Sequence, residues 1–349
     1  MRMKLNKNEH QNDSGVQKYA VPPLLKDQFG RTFNYLRIAV NEICNLRCIY
    51  CMPEEGVPFK PSKELLTSDE IIRFIKVAAG LGVIKIRFTG GEPLLRKGLV
   101  QLISDVSNIP NIQSVHLTTN GVLLEGMAVE LKGAGLHGIN ISIDTLDPDK
   151  YKMITRRDEV EKALKGLKAA KEVKIPSIKV NVVALRGFND SEISDFVNLT
   201  KHYPLTVRFI ELMPFDAHQI WKTGKFFSAK QIINDLKQLF PNIKTSIGTA
   251  TEHSIFSVPG FKGKVAVIPS YSRDLCSACN RVRLTADGQI RNCLYAKNEY
   301  NVKELLMNGS TDNDIADLLL KAMWKKPIDG WKAQRSGKEH RESMTQIGG

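Results

Sequence analysis

Between residues 31 and 213 the apolar residues of this chain follow two alternating periods. Short runs with apolar side chains at every second position, "YLRIAV", "VIKIRF", "SVHLTT", "GINISI", "SIKVNVVAL" and "LTVRFIEL", read as strands. Between them stand segments with helical spacing, such as "EVEKALKGLKAAKEV", "SEISDFVNLTKHY" and "TSDEIIRFIKVAAGLG". The last opens on a capping box from Thr67 to Glu70 and closes on Gly80 and Gly82. Strand and helix in alternation predict a parallel sheet with right-handed crossovers. Six such units fall short of the eight that close a full barrel. The expected fold class is therefore α/β: an incomplete (β/α)6 TIM-like barrel whose open side is covered by a C-terminal extension.

Three regions follow. Residues 1–30 are polar, carry Pro22 and Pro23, and read as a flexible N-terminal arm. Residues 31–213 form the partial barrel. From Pro214 the rhythm breaks, and residues 214–349 read as a C-terminal domain with a helix at "SAKQIINDLKQLF" and a polar tail ending "SMTQIGG".

Composition narrows the setting. A 349-residue chain that is 42% hydrophobic can bury a large core. No apolar run approaches the roughly 18–20 residues that span a bilayer, and the N-terminus lacks the apolar core of a signal peptide. A cytoplasmic location with reduced thiols is expected, and no membrane association. The formal charge of +13 favours anionic partners without choosing among them.

Cysteine changes the picture most. Of six, three stand within eight positions, Cys44, Cys48 and Cys51, and the others, Cys276, Cys279 and Cys293, form a C-x2-C-x13-C group. A structural zinc takes four ligands, and each group is one short. A cubane iron–sulfur cluster bound by three thiolates keeps one iron open, where a small molecule can coordinate. A zinc knuckle borrowing a distant ligand is the alternative, and with it a zinc-dependent nucleic-acid-binding protein.

The C-x3-C-x2-C loop after a first strand, with Tyr50 before its last cysteine and "TGGEP" (Thr89–Pro93) ending the second strand, resembles the radical S-adenosylmethionine superfamily. Within it, the second triad followed directly by "NRVRLT" is very similar to the GTP 3′,8-cyclase family of molybdenum cofactor biosynthesis. Peptide-modifying radical enzymes are the other reading of a second cluster. The cyclase resemblance implies two 4Fe–4S clusters, on Cys44, Cys48 and Cys51 and on Cys276, Cys279 and Cys293. It implies an S-adenosylmethionine pocket lined by Tyr50, Gly91, Glu92, Ser142 and Met213, and a segment Arg281, Val282, Arg283 that reaches GTP. The expected product is (8S)-3′,8-cyclo-7,8-dihydroguanosine 5′-triphosphate. An external electron donor, a homodimer and delivery to a cyclic pyranopterin monophosphate synthase are implied too, with no nucleic acid as partner.

The strands speak separately for a polyanion. Alternation puts Lys85 and Arg87 on one face and Ile84, Ile86 and Phe88 on the other, and sets Arg37, Lys179 and Arg208 apart from their apolar neighbours in the same way. If the apolar face meets the helices, these cations point inward, where an unpaired charge is costly. A triphosphate would explain them better than pairing with Glu42 or Glu211. The resemblance adds Thr118 as a hydroxyl contact. It also implies that the slim Gly348–Gly349 end enters the active site beside Arg281 and Arg283.

Overall fold

The computed structural model describes residues 24–213, 224–248, 254–273, 275–336, 341 and 343–348. The six expected strands are present as β1 (Tyr35–Ala39), β2 (Lys85–Thr89), β3 (Ser114–Thr119), β4 (Gly138–Ser142), β5 (Ser177–Ala184) and β6 (Thr206–Glu211). They pair in chain order and in parallel. Helices α1 (Ser68–Gly80), α2 (Leu99–Ser107), α3 (Ala128–Gly133), α4 (Pro148–Thr155), α5 (Val160–Glu172) and α6 (Ile193–Asn198) fill the connections. Helix α1 starts as expected, with the Thr67 side chain and Glu70 capping each other.

The C-terminal part lengthens the sheet at both edges. After α7 (Ala229–Leu239), the strands β7 (Lys244–Ile247) and β8 (Ser254–Ser257) lead into β9 (Lys264–Ile268), which pairs in parallel with β6. Strand β10 (Arg281–Leu284) pairs in parallel with β1, and β11 (Gln289–Arg291) and β12 (Tyr300–Asn301) continue antiparallel. Eight neighbouring strands, from β10 through β1–β6 to β9, thus run parallel where the periodicity suggested six. The extra two were hidden because no strand–helix rhythm surrounds them. Helices α8 (Lys303–Met307), α9 (Asp312–Trp324) and α10 (Gly330–Arg335) complete the chain, and α8 and α9 pack on α1.

The core lies between the convex face of the sheet and its helices. Ile86, Phe88, Val115, Leu117, Val180, Val207 and Phe209 meet Ile71, Phe74 and Ile75 of α1 and the apolar faces of the other helices. On β5 and β6 buried and half-buried residues alternate without exception, so the opposite face carries Lys179, Asn181, Arg208 and Ile210. No helix among the described residues is long and apolar enough to cross a membrane.

One expectation fails inside the expected arm. Residues 24–30 are not loose: Leu25 is fully buried in the core, its amide donates to Leu81 O, and Lys26 bridges Thr32. Arg31 then pairs with Asp27 at 2.6 Å and donates to the carbonyls of Cys276 and Pro327, which joins this segment to the C-terminal part. Residues 1–23 and the boundary near Pro214 lie outside the described residues. Leu25→Ala should destabilise the protein by about 2–5 kcal/mol through the cavity it leaves; denaturant unfolding measures this, and a change below about 0.5 kcal/mol would return residues 24–30 to the arm.

Candidate active site

The first cysteine loop leaves β1 and rests on the end of β2. Gly91 N donates to Asn41 O at 3.1 Å, Glu92 N donates to Ile43 O at 2.8 Å, and Asn41 Nδ2 donates to Glu92 O at 2.9 Å. A Cβ on Gly91 would stand 2.3 Å from Ile43 O. The "GG" of "TGGEP" is therefore a contact surface for the loop as well as a pocket wall. The amides of Arg47 and Ile49 donate to Thr155 O and Ile154 O at the end of α4.

Cys44, Cys48 and Cys51 open on a cavity of about 220 Å³ shared with Tyr50, Gly91, Glu92, Ser142 and Met213, so the expected S-adenosylmethionine set is brought together. The sequence reading did not select Asp144, Thr119, Asn120 and Asn181, which line it too. Tyr50 donates its hydroxyl to Asp144 at 2.5 Å, and Asp144 also accepts from Val183 N at 2.8 Å. Burial pushes the Asp144 carboxyl up to about 6 despite these bonds. Burial likewise lifts Glu92 to about 7, although Asn120 N, Thr119 Oγ1 and Leu94 N donate to it. The thiols follow: burial raises Cys44 to about 12 and Cys51 to about 11, and holds Cys48 well above its ordinary value.

Above this cavity the concave face of the sheet forms a second chamber. Arg37, Lys85, Arg87, Lys179, Arg208, Arg281 and Arg283 line it together with Thr118, and no carboxylate among the described residues does. The cations are neighbours: Arg37 lies in register with Arg87 on one side and Arg283 on the other. Arg87 is almost fully buried and donates to Tyr35 Oη, Leu117 O and Thr118 Oγ1. Burial would raise the Tyr35 hydroxyl, but Arg87, Arg37 and Arg281 bring it down to about 7. Burial and the adjoining Arg283 push Arg37 well below its ordinary value. Glu211 and Glu42 do not neutralise the set. Glu211 accepts from Ala229 N, Tyr271 N and Ser272 N, and Glu42 faces Lys60 N and Arg341.

Cys276, Cys279 and Cys293 line a third cavity, which shares Met213, Arg281 and Arg283 with the chamber. Gly330 N donates to Cys276 Sγ at 3.3 Å. Burial raises Cys276; burial also works to raise Cys279, but Lys326 and Arg281 bring it down to about 7. Val282 departs from expectation. Strand alternation turns its side chain into the hydrophobic core, fully buried, while Arg281 and Arg283 on either side enter the chamber.

All six cysteines are free. Each triad is a set of soft donors, which suits iron–sulfur chemistry because bound iron takes the place of the thiol protons. Among the described residues, no three His, Cys, Asp or Glu side chains gather around a point that could hold a single metal ion, as a zinc site would require.

The tail closes the assembly. Ser343 Oγ donates to Cys51 O at 2.9 Å, Met344 and Thr345 line the first cavity, and Arg283 Nη1 donates to Gly348 O at 2.8 Å. Gly348 has φ +68°, and a Cβ there would meet Ala39 Cβ at 3.1 Å. Gly349 lies outside the described residues. The tail is tied down by Arg341, whose Nη2 is 2.9 Å from Asp287 and 2.8 Å from Glu299.

A partial-barrel sheet that presents a three-cysteine loop at the end of its first strand is the framework of the radical S-adenosylmethionine superfamily, whose model matches residues 38–200. Members carry an iron–sulfur cluster and S-adenosylmethionine. The structure of Streptococcus suis SuiB bound to S-adenosylmethionine shares the fold, with TM-score 0.59 and 15% identity over 85% of this chain and 64% of that one. A second model, Molybdenum Cofactor Synthesis C, matches residues 205–330. The chain is 42% identical to the GTP 3′,8-cyclase of Desulforamulus reducens, over 93% of this chain and 99% of that protein. It is 40% identical to the mouse Molybdenum cofactor biosynthesis protein 1, over 89% of this chain and about half (49%) of the mouse protein. This chain belongs to the GTP 3′,8-cyclase family.

Gly91→Ala should push the cysteine loop off β2, since no flexible atom can yield to the new Cβ. The expected result is loss of at least half of the iron bound at Cys44, Cys48 and Cys51, measured against the unchanged chain after anaerobic reconstitution; full retention would show that the loop does not depend on this contact.

Proposed function

We propose that this protein is a GTP 3′,8-cyclase that carries out the first step of molybdenum cofactor biosynthesis, converting GTP to (8S)-3′,8-cyclo-7,8-dihydroguanosine 5′-triphosphate. The observation that carries this reading is the gathering of seven cations from five strands in one chamber between the two cysteine triads. A triphosphate bound there would accept charge-assisted hydrogen bonds from Arg37, Arg87, Lys179 and their neighbours. A peptide offers no comparable density of negative charge.

In this reading Cys44, Cys48 and Cys51 hold one 4Fe–4S cluster, and Cys276, Cys279 and Cys293 hold another whose open iron takes the guanine. When bound, the first cluster and S-adenosylmethionine would supply a 5′-deoxyadenosyl radical to take the ribose 3′ hydrogen, and once that carbon had joined guanine C8 an electron from the external donor and a proton would complete the 7,8-dihydro product. The protein's own work is placement. Tyr50 and Asp144, Gly91, Glu92, Ser142 and Met213 hold S-adenosylmethionine at the mouth of the chamber. The cations on β1, β2, β5, β6 and β10 fix the triphosphate, with Thr118 as a neutral contact. Arg281 and Arg283 stand between chamber and second triad and hold the nucleotide across both. Arg283 also holds Gly348 O, which brings the last turn of the tail to the reacting region; the role assigned to the Gly348–Gly349 end is to support cyclisation there. Val282 contributes through its main chain only. The reading extends to a division into residues 31–213 and 214–349, a cytoplasmic homodimer, an external electron donor and a cyclic pyranopterin monophosphate synthase that takes the product.

One anaerobic incubation with GTP, S-adenosylmethionine and a reductant tests the whole. The unchanged chain should yield the cyclic product and 5′-deoxyadenosine. Cys48→Ala should yield neither, Cys279→Ala no cyclic product, and removal of Gly348 and Gly349 should leave iron content and GTP affinity intact while cyclisation falls at least tenfold. Product from Cys279→Ala would sink the guanine assignment.

Arg87→Ala and Lys179→Ala should each weaken GTP by about 10- to 150-fold, the loss of a charge-assisted contact of roughly 1.5–3 kcal/mol, while affecting guanosine little. Equal losses for both ligands in equilibrium binding would move these side chains away from the phosphates.

A further inference from the structure

Lys326 is a buried cation for which the reaction above has no use. It is 2% exposed, at the end of α9, and its ammonium donates to the carbonyl of Asn292 and stands 3.5 Å from that of Arg281. Phe33 presents its ring 5.2 Å away. Among the described residues no carboxylate lies within ion-pair distance of it. An ammonium held in the interior without a counter-ion is strongly destabilising, so something negative belongs beside it. Its position names the candidate. Asn292 immediately precedes Cys293, Arg281 follows Cys279 by two residues, and Lys326 lines the same cavity as Cys276, Cys279 and Cys293.

The two cysteine cavities also differ in sign. Arg273, Arg281, Arg283 and Lys326 line the second, with no Asp or Glu among the described residues. Glu92, Asp144 and Glu211 line the first, with no Lys or Arg among the described residues. Arg47, the cation on the first loop, turns its guanidinium to the carbonyls of Cys44 and Leu46. Donors to sulfur are no fewer at the first triad, where Leu46 N reaches Cys44 Sγ at 3.4 Å and the amides of Met344 and Thr345 reach Cys51, against Gly330 N on Cys276 Sγ at 3.3 Å and Arg281 N on Cys279; it is the charged side chains that distinguish the second.

We propose that Lys326 is a positioning residue for the second cluster, serving as counter-ion to the thiolates of Cys279 and Cys293, and that the opposite charge of the two cavities makes the second cluster the more easily reduced. This rests on the two-cluster reading. Reduction adds one negative charge to a cluster, which nearby cations favour and nearby carboxylates oppose. The first cluster is thereby kept the stronger reductant, as the side that must deliver an electron to S-adenosylmethionine requires. An electron from the external donor comes to rest on the second cluster unless the first is using it.

The test compares two full-length proteins, one with Cys44, Cys48 and Cys51 all changed to Ala and one with Cys276, Cys279 and Cys293 changed to Ala. Each is reconstituted with iron and sulfide and titrated with dithionite while the paramagnetic signal of the reduced cluster is recorded. The protein keeping the second triad should be half-reduced at the higher potential. Adding Lys326→Met, or Lys326→Gln if the first loses iron, should shift its reduction equilibrium at least tenfold toward the oxidised form, 59 mV for a one-electron couple; Lys326→Arg should restore it. Equal or reversed midpoints, or no shift in either Lys326 variant, would overturn the proposal. Absence of any cluster in the protein keeping only the second triad would instead overturn the two-cluster reading beneath it.

Discussion

Seven positive side chains held in one chamber without a carboxylate among the described lining residues set the terms for the rest of the molecule. Two unit charges about 6 Å apart at an effective dielectric near 20 repel by roughly 3 kcal/mol, and here arginines from adjacent strands stand in register. Such a set persists only because the apolar face of the same strands is locked against the helices, so that alternation leaves the cations no other side to take. The apolar core on the convex face therefore fixes which side chains are gathered on the concave one.

The same alternation explains how much could be read in advance. Strands β5 and β6, which carry Lys179 and Arg208, alternate strictly; β1 and β2 are buried almost throughout, yet Arg37 and Arg87 still line the chamber where alternation of their apolar neighbours places them. Val282 obeys the rule as well. Grouping it with Arg281 and Arg283 as one substrate segment treated three consecutive strand residues as if they shared a face, and β10 turns the middle one into the core. The grouping of the cysteines was legible from spacing, since each set of three lines one cavity; the first is packed within eight positions, whereas Cys293 joins the second across thirteen residues.

What stayed hidden is of a different kind. Asp144 and Lys326 act through partners far away in sequence, Tyr50 for the one and the residues beside two cysteines for the other, and nothing local marks them. Strands β9 and β10 lack flanking helices of the alternating type, so their parallel pairing with β6 and β1 has no sequence rhythm. Leu25 sits in a polar neighbourhood whose composition resembles an arm; a single apolar side chain with a place in the core is too small a signal to overturn that.

The pairing of β1 with β10 has a consequence for how the protein is made. Arg31 and Cys276, joined by a hydrogen bond at this seam, are 245 residues apart, and ribosomes add about 5–20 residues per second. For roughly 12–50 s after β1 emerges, one of its edges has no native neighbour, and such an edge invites pairing with other chains. Arg37 in the middle of that strand then has an earlier duty than any nucleotide: a charge on an unpaired strand that keeps nascent copies apart until the C-terminal part arrives to cover it.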